Sequence, residues 1–127
     1  KENSLEPLIF NIQTKARSTA LKNLEIKRIL ETAALDSIFC TDDLTAILVY
    51  NLCQEMGIKI PEDIKIIGYD GTKFVQNYFP QLSTIAQPLA DFADLLVDLL
   101  LQRLESPEKV LEKNYALPVK LIQGKTS

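Results

Sequence analysis

Three short polar strings hold the side chains of this sequence that could do chemistry: Thr41-Asp42-Asp43, Asp70-Gly71-Thr72, and Thr84 followed by Gln87. A carboxylate accepts hydrogen bonds through two oxygens, so Asp42 and Asp70 could each hold neighbouring hydroxyls of a polyol. A site built that way rejects analogues that lack those hydroxyls, because its own polar groups are then left unpaired. A sugar is therefore the expected ligand class. Asp43 has a competing reading as a helix cap, since the first N–H groups of a helix have no intrahelical partner and the helix dipole favours a carboxylate there. For Asp70 the competing reading is a plain Asp-Gly turn.

Composition removes most other chemistries. The chain has no histidine, so mechanisms that need an imidazole base, a catalytic triad or a His-rich metal site lapse. No catalytic residue, cofactor or metal site is expected, and the chain does not read as an enzyme. Its 14 Lys and Arg against 17 Asp and Glu give a net charge of −3, the wrong sign for gripping nucleic acid through phosphates. Cys40 and Cys53 stand apart without a CxxC pair, which suits buried thiols in a reducing cytoplasm. The most apolar stretch, Leu95 to Leu101, contains Asp98 and falls short of the ~20 residues that span a bilayer. No signal peptide opens the sequence, so neither secretion nor a membrane is expected. Its first residue is Lys1 rather than Met, as in a processed or truncated chain.

The elements that must position these residues follow from hydrophobic period. With 127 residues, 46% of them apolar, the chain fits one domain with a real core. Short apolar runs alternating with longer helical patterns predict an α/β fold, a mostly parallel sheet flanked by helices. Strands are expected at Leu8 to Gln13, at Ser37 to Cys40 in mid-sheet, at Ile64 to Tyr69, at Leu82 to Ala86, and at Ala116 to Gln123 on an edge that tolerates Pro118. A helix is predicted from about Leu44 to Met56, ended by Gly57 with Pro61 barring continuation. A second runs from Pro88 to Leu104, and its narrow polar stripe of Asp91, Asp94, Asp98 and Gln102 leaves more than half its surface apolar. Parallel topology then draws the three polar strings to one rim, at the carboxyl ends of the strands, where open α/β sheets gather ligands.

Two enzyme motifs compete for the same residues. Ile67-Gly68-Tyr69-Asp70-Gly71-Thr72 is similar to the DxDGT motif of haloacid-dehalogenase-type phosphatases, but Gly68 stands where the nucleophilic aspartate belongs, and no attacking group remains. A response-regulator receiver domain also gathers acidic residues at strand ends. Its acidic pair follows the first strand, whereas Asp42-Asp43 opens a helix further along.

A fuller match lies in Cys40-Thr41-Asp42-Asp43-Leu44-Thr45-Ala46, Met56-Gly57-Ile58 through Pro61-Glu62-Asp63-Ile64, Ile67-Gly68-Tyr69-Asp70, and Pro80-Gln81-Leu82-Ser83-Thr84-Ile85-Ala86-Gln87-Pro88. In this order and spacing, and ending with Leu117-Pro118-Val119, they closely resemble the LacI/GalR family of bacterial sugar-responsive repressors, from about Ser37 to Ser127. The resemblance implies a periplasmic-binding-protein-like (type I) fold, of which this chain would be a truncated C-terminal subdomain. Residues 1–87 would belong to that subdomain, 88–113 would cross to pack on an N-terminal subdomain outside the chain, and 114–127 would return as a strand and tail. Helix-turn-helix contacts to operator DNA would likewise lie outside the chain.

By position, the resemblance implies effector contact by Asp70, which matches the aspartate of the family's GYD or GFD motif. It implies the same for Asp42 in place of an Asn or Thr, for Gln87 beside the cleft, and for Leu89 on its floor. Asp43 matches the family's helix-capping aspartate. Ile47, Tyr78 and Phe79 match positions that pack across a homodimer, with core burial the alternative for Phe79. The function implied is a cytoplasmic sugar-sensing regulator that controls operator binding through lobe closure. A periplasmic-type sugar-binding protein for transport, or a dimerisation module without ligand, are the alternatives.

Overall fold

A computed structural model describes residues 6–12, 18–108 and 114–127. The chain divides into two compact units, Lys1–Leu35 and Asp36–Ser127. In the first, residues 8–12 form no strand, contrary to the apolar run's promise; Gln13, the end of that expected strand, lies outside the described residues. An apolar run supplies strand propensity but no ladder partner, and propensity alone does not make a strand. The unit's helix α1, Thr19–Thr32, buries Ile26.

The second unit is a four-stranded sheet in the order β1 (Ser37–Phe39), β2 (Lys65–Asp70), β3 (Ser83–Ala86) and β4 (Lys120–Ile122). Strands β1, β2 and β3 run parallel, and β4 closes the edge antiparallel to β3. The mostly parallel α/β architecture is thus as expected. One position differs: β1 is an edge strand, with Ser37 and Phe39 exposed, and not a mid-sheet strand. Its apolar sequence reports propensity but cannot say how many neighbours the strand has. Pro118 lies just ahead of β4, which starts at Lys120. Lacking an N–H, proline cannot donate to the ladder.

The crossovers carry α2 (Asp43–Glu55) between β1 and β2, and the short α3 (Lys73–Tyr78) between β2 and β3. The core lies under α2, where Ala46, Val49, Leu52 and Cys53 are buried with Ile64, Ile66, Val75 and Leu82. Gly57 takes φ 72° just past the end of α2, a left-handed conformation that glycine adopts without a Cβ penalty. Helix α4 (Leu89–Glu105) starts after Pro88, whose carbonyl accepts the Phe92 N–H at 2.9 Å. None of its residues is buried, and Leu89, Phe92, Leu96, Val97, Leu100, Leu101 and Leu104 are exposed.

At the foot of the sheet, the C-terminal tail is sewn between β2 and β3. Thr126 is buried; its hydroxyl donates to the Ile66 carbonyl at 2.6 Å and accepts the Ser83 N–H at 2.9 Å. The Ile66 N–H donates to the Thr126 carbonyl at 2.7 Å. Gly124 passes so close to Gln81 and Leu82 that a Cβ there would collide with their backbone.

Candidate functional site

The opposite end of the sheet presents the three polar strings together, but in roles that the sequence does not distinguish. Asp42 has extended backbone (φ −153°, ψ 159°) and is the N-cap of α2. Its Oδ1 accepts the Thr45 N–H at 2.8 Å and its Oδ2 accepts the Thr45 hydroxyl at 2.8 Å. The cap expected at Asp43 therefore belongs to Asp42. Capping requires non-helical φ and ψ, and only the residue before the helix has them. Asp42 remains half-buried at the rim. Thr41 beside it is exposed, with its hydroxyl 3.5 Å from Asp42 Oδ2.

Asp43, the first residue of α2, turns inward and is only 2% exposed. Its Oδ2 accepts the Gly71 N–H at 2.9 Å, and its Oδ1 accepts the Thr84 hydroxyl at 2.5 Å. One carboxylate thus ties the start of α2 to the end of β2 and to the interior of β3. Thr84, 1% exposed, is committed to that bond and does not face solvent. Gly68 makes room: a Cβ there would run into Asp43 Oδ1 and crowd Leu82 and Ala46. The glycine that empties the phosphatase motif of its nucleophile is thus a seat for a neighbouring carboxylate. A glycine inside a strand signals such close approach, and it was the one trace of this contact in the sequence.

Asp70 ends β2 with φ 115° and is followed by Gly71 at φ 60°. Positive φ in a non-glycine residue costs about 1–3 kcal/mol and persists where the surroundings impose it. Here Gln87 grips the residue twice: its side-chain Nε2 donates to Asp70 Oδ1 at 2.7 Å, and its backbone N–H donates to the Asp70 carbonyl at 3.2 Å. Gly71 itself lies against Ala86, where a Cβ would come within 2.5 Å of Ala86 Cα. Its carbonyl accepts from Gln76 Nε2 at 2.5 Å, a contact with no signature in the sequence. Asp70 and Gln87 are thus brought together on the rim, with Gln87 exposed and Asp70 partly so. Leu89, two residues on, is exposed at the start of α4, its N–H donating to the Gln87 carbonyl at 2.9 Å.

The residues matched to a dimer interface lie on α2, on α3 and, for Phe79, just past the end of α3. Tyr78 is 75% exposed and stacks at a tilt on Phe74, ring centroids 4.8 Å apart. Phe79 is half-buried edge-on against Tyr50 at 5.0 Å, and Ile47 is half-buried on α2. Both thiols are buried and free. Burial, and secondarily the Asp42 charge and Cys53, push the Cys40 thiol up to about 12; burial also raises that of Cys53. Neither is a nucleophile at neutral pH, since the thiolate is the reactive form. Among the described residues no three His, Cys, Asp or Glu side chains gather as a metal site, and no helix is long and apolar enough to cross a membrane.

The sequence and the fold are similar to those of known proteins, among them several repressors. The sucrose operon repressor of Pediococcus pentosaceus is 50% identical over 108 residues, covering 85% of this chain and 33% of that protein. The sucrose operon repressor of Streptococcus mutans is 49% identical over 105 residues, 83% of this chain and 32% of that protein. The chain therefore spans about a third of the length of these relatives. Among solved structures, a LacI family transcriptional regulator from Enterococcus faecium with bound ribose superposes with a TM-score of 0.70 at 34% identity, over 84% of this chain and 39% of that one. The lac repressor dimer bound to operator and the anti-inducer ONPF does so with a TM-score of 0.72 at 29% identity, over 85% and 38%. The periplasmic binding protein-like domain family matches residues 1–127 throughout. The chain belongs to that family, and within it to the LacI/GalR family.

Proposed function

We propose that this chain is the effector-binding part of a sugar-sensing transcriptional regulator, and that the rim formed by Asp70 and Gln87 grips the sugar. The observation that carries the reading is the 2.7 Å bond between these two side chains at the carboxyl ends of neighbouring parallel strands. A carboxylate and an amide so placed offer acceptors and a donor to adjacent hydroxyls, the pattern a polyol requires. Asp42 and Leu89 complete the site, Asp42 through lone pairs not used in capping and Leu89 as an apolar floor for a sugar ring. Sucrose operon repressors among the relatives and ribose in a neighbouring structure support the ligand class.

In this reading the segment 88–113, of which 109–113 lie outside the described residues, leads to a second lobe outside the chain, whose surface covers the exposed leucines of α4. Closure of the two lobes on the sugar shifts the affinity of a helix-turn-helix, also outside the chain, for operator DNA in the cytoplasm. Coupling requires that the sugar bind one lobe arrangement better than the other, since equal affinity shifts nothing. Ile47, Tyr78 and Phe79 lie in the homodimer interface, where the exposed Tyr78 ring has the aromatic character of an interface core.

The test is an operator-release assay on the full-length regulator with sucrose, glucose, fructose, ribose and the hexose 6-phosphates. Asp70→Ala is expected to abolish the response to the active sugar while operator binding without sugar survives. An Asp70→Ala protein that responds like the wild type would refute the assignment.

A further inference from the structure

We propose that Asp43, which lies beneath the rim and out of solvent, is a positioning residue for sugar binding: its buried carboxylate holds the Asp70–Gly71 peptide so that the Asp70 side chain faces the guest. The inference rests on the reading of the rim as a sugar site and adds a residue that no sugar touches.

Asp70 has a φ of 115°, which a non-glycine side chain disfavours. Four hydrogen bonds surround it. Two come from Gln87, which is exposed, and one joins Gln76 Nε2 to the Gly71 carbonyl on the part-buried side of the turn. Water competes for exposed bonds of this kind. The fourth, from the Gly71 N–H to Asp43 Oδ2, is buried, and a buried bond to a charged acceptor is the stronger class. It fixes the peptide plane that joins Asp70 to Gly71. The second oxygen of Asp43 is held by the buried hydroxyl of Thr84 on β3, so the carboxylate cannot swing away. Its seat is the bare Cα of Gly68. The end of β2, the interior of β3 and the start of α2 are thereby joined through one carboxylate, next to the Asp70–Gly71 peptide.

The chemistry of the Thr84 hydroxyl makes the proposal testable. In Asp43→Asn the amide oxygen can still accept the Gly71 N–H, and the amide NH₂ can donate to Thr84 once its hydroxyl reverses from donor to acceptor. In Asp43→Asn combined with Thr84→Val that amide has no partner and the tether loosens. Asp43→Ala removes it altogether.

The experiment is calorimetric titration of the full-length regulator with the sugar panel above, with a circular-dichroism melt of each variant and the Gly71 amide resonance as a marker of the tether. Asp43→Asn is expected to keep the wild-type affinity within about threefold, with Gly71 little moved. The double variant and Asp43→Ala should lose about tenfold or more at temperatures where they remain folded, with Gly71 shifted. Wild-type affinity in the double variant or in Asp43→Ala overturns the proposal and leaves the sugar site standing. A double variant too unstable to titrate also overturns it, because Asp43 would then serve stability alone. Absence of heat from every sugar in the wild type removes the site reading and this proposal together, a result distinct from the other two.

Discussion

The two ends of the sheet solve the same problem with opposite outcomes. At the foot, Thr126 bridges β2 and β3 by hydroxyl and backbone and is itself buried. At the rim, Asp43 bridges the same two strands from below, but the layer above it, Asp70 and Gln87, stays open to water. The foot spends its hydrogen bonds on closing the fold. The rim buries one carboxylate in order to hold another one outward, in a backbone conformation that is itself unfavourable. The strained backbone of Asp70 distinguishes the rim from the foot, although a buried side-chain oxygen joins β2 to β3 at both.

The contrast can be broken most forcefully at the foot. Thr126→Val leaves the Ser83 N–H buried without its acceptor and the Ile66 carbonyl without its hydroxyl donor. It should cost about 3 kcal/mol in denaturant unfolding, with sugar affinity of the folded protein unchanged. A selective loss of sugar affinity would erase the distinction between the two ends. At the rim, Gly68→Ala drives a methyl group into Asp43 and Leu82. About 2 kcal/mol should be lost, together with sugar affinity.

Alkali should weaken the fold through Cys40, which adjoins the rim. Cys40 sits at the end of β1, and its folded-state value of about 12 lies above the ordinary 9.0. The thiol therefore stays protonated when folded while the unfolded chain releases its proton. Its contribution is full below pH 9.0 and is lost as pH rises toward about 12. At pH 10 the loss should be about 1 kcal/mol, and Cys40→Ala should flatten that part of the stability profile. The smallest effect has the opposite sign. Asp70→Gly removes the positive-φ penalty at the expense of an exposed bond to Gln87, so stability should rise by a few tenths to about 1 kcal/mol while sugar binding is lost.

Much of this arrangement could be read from the residues. The parallel crossover through α2, the edge position of β4 and the meeting of Asp70 with Gln87 follow from apolar runs, turn residues and parallel topology. The division of labour between Asp42 and Asp43 does not. Two adjacent aspartates have identical capping chemistry, and which of them caps depends on where the backbone enters the helix, a matter of one residue's φ and ψ. Thr126 carried no signal either, because its partners lie 43 and 60 residues away in sequence. Leu8 to Gln13 and β1 show the converse limit. Apolar sequence announces a strand's composition, but strand neighbours are set by the rest of the sheet, and residues 8–12 form no strand while β1 lies at an edge.

The central claim is that a sugar is gripped where Asp70 meets Gln87, and amide chemical shifts of the full-length regulator during titration with its sugar test it most directly. The account predicts that the amides of Gly71 and Gln87 move most within this unit while those of Ser83, Gly124 and Thr126 stay in place. Saturable binding that leaves Gly71 and Gln87 unmoved, or that moves the foot instead, would contradict it.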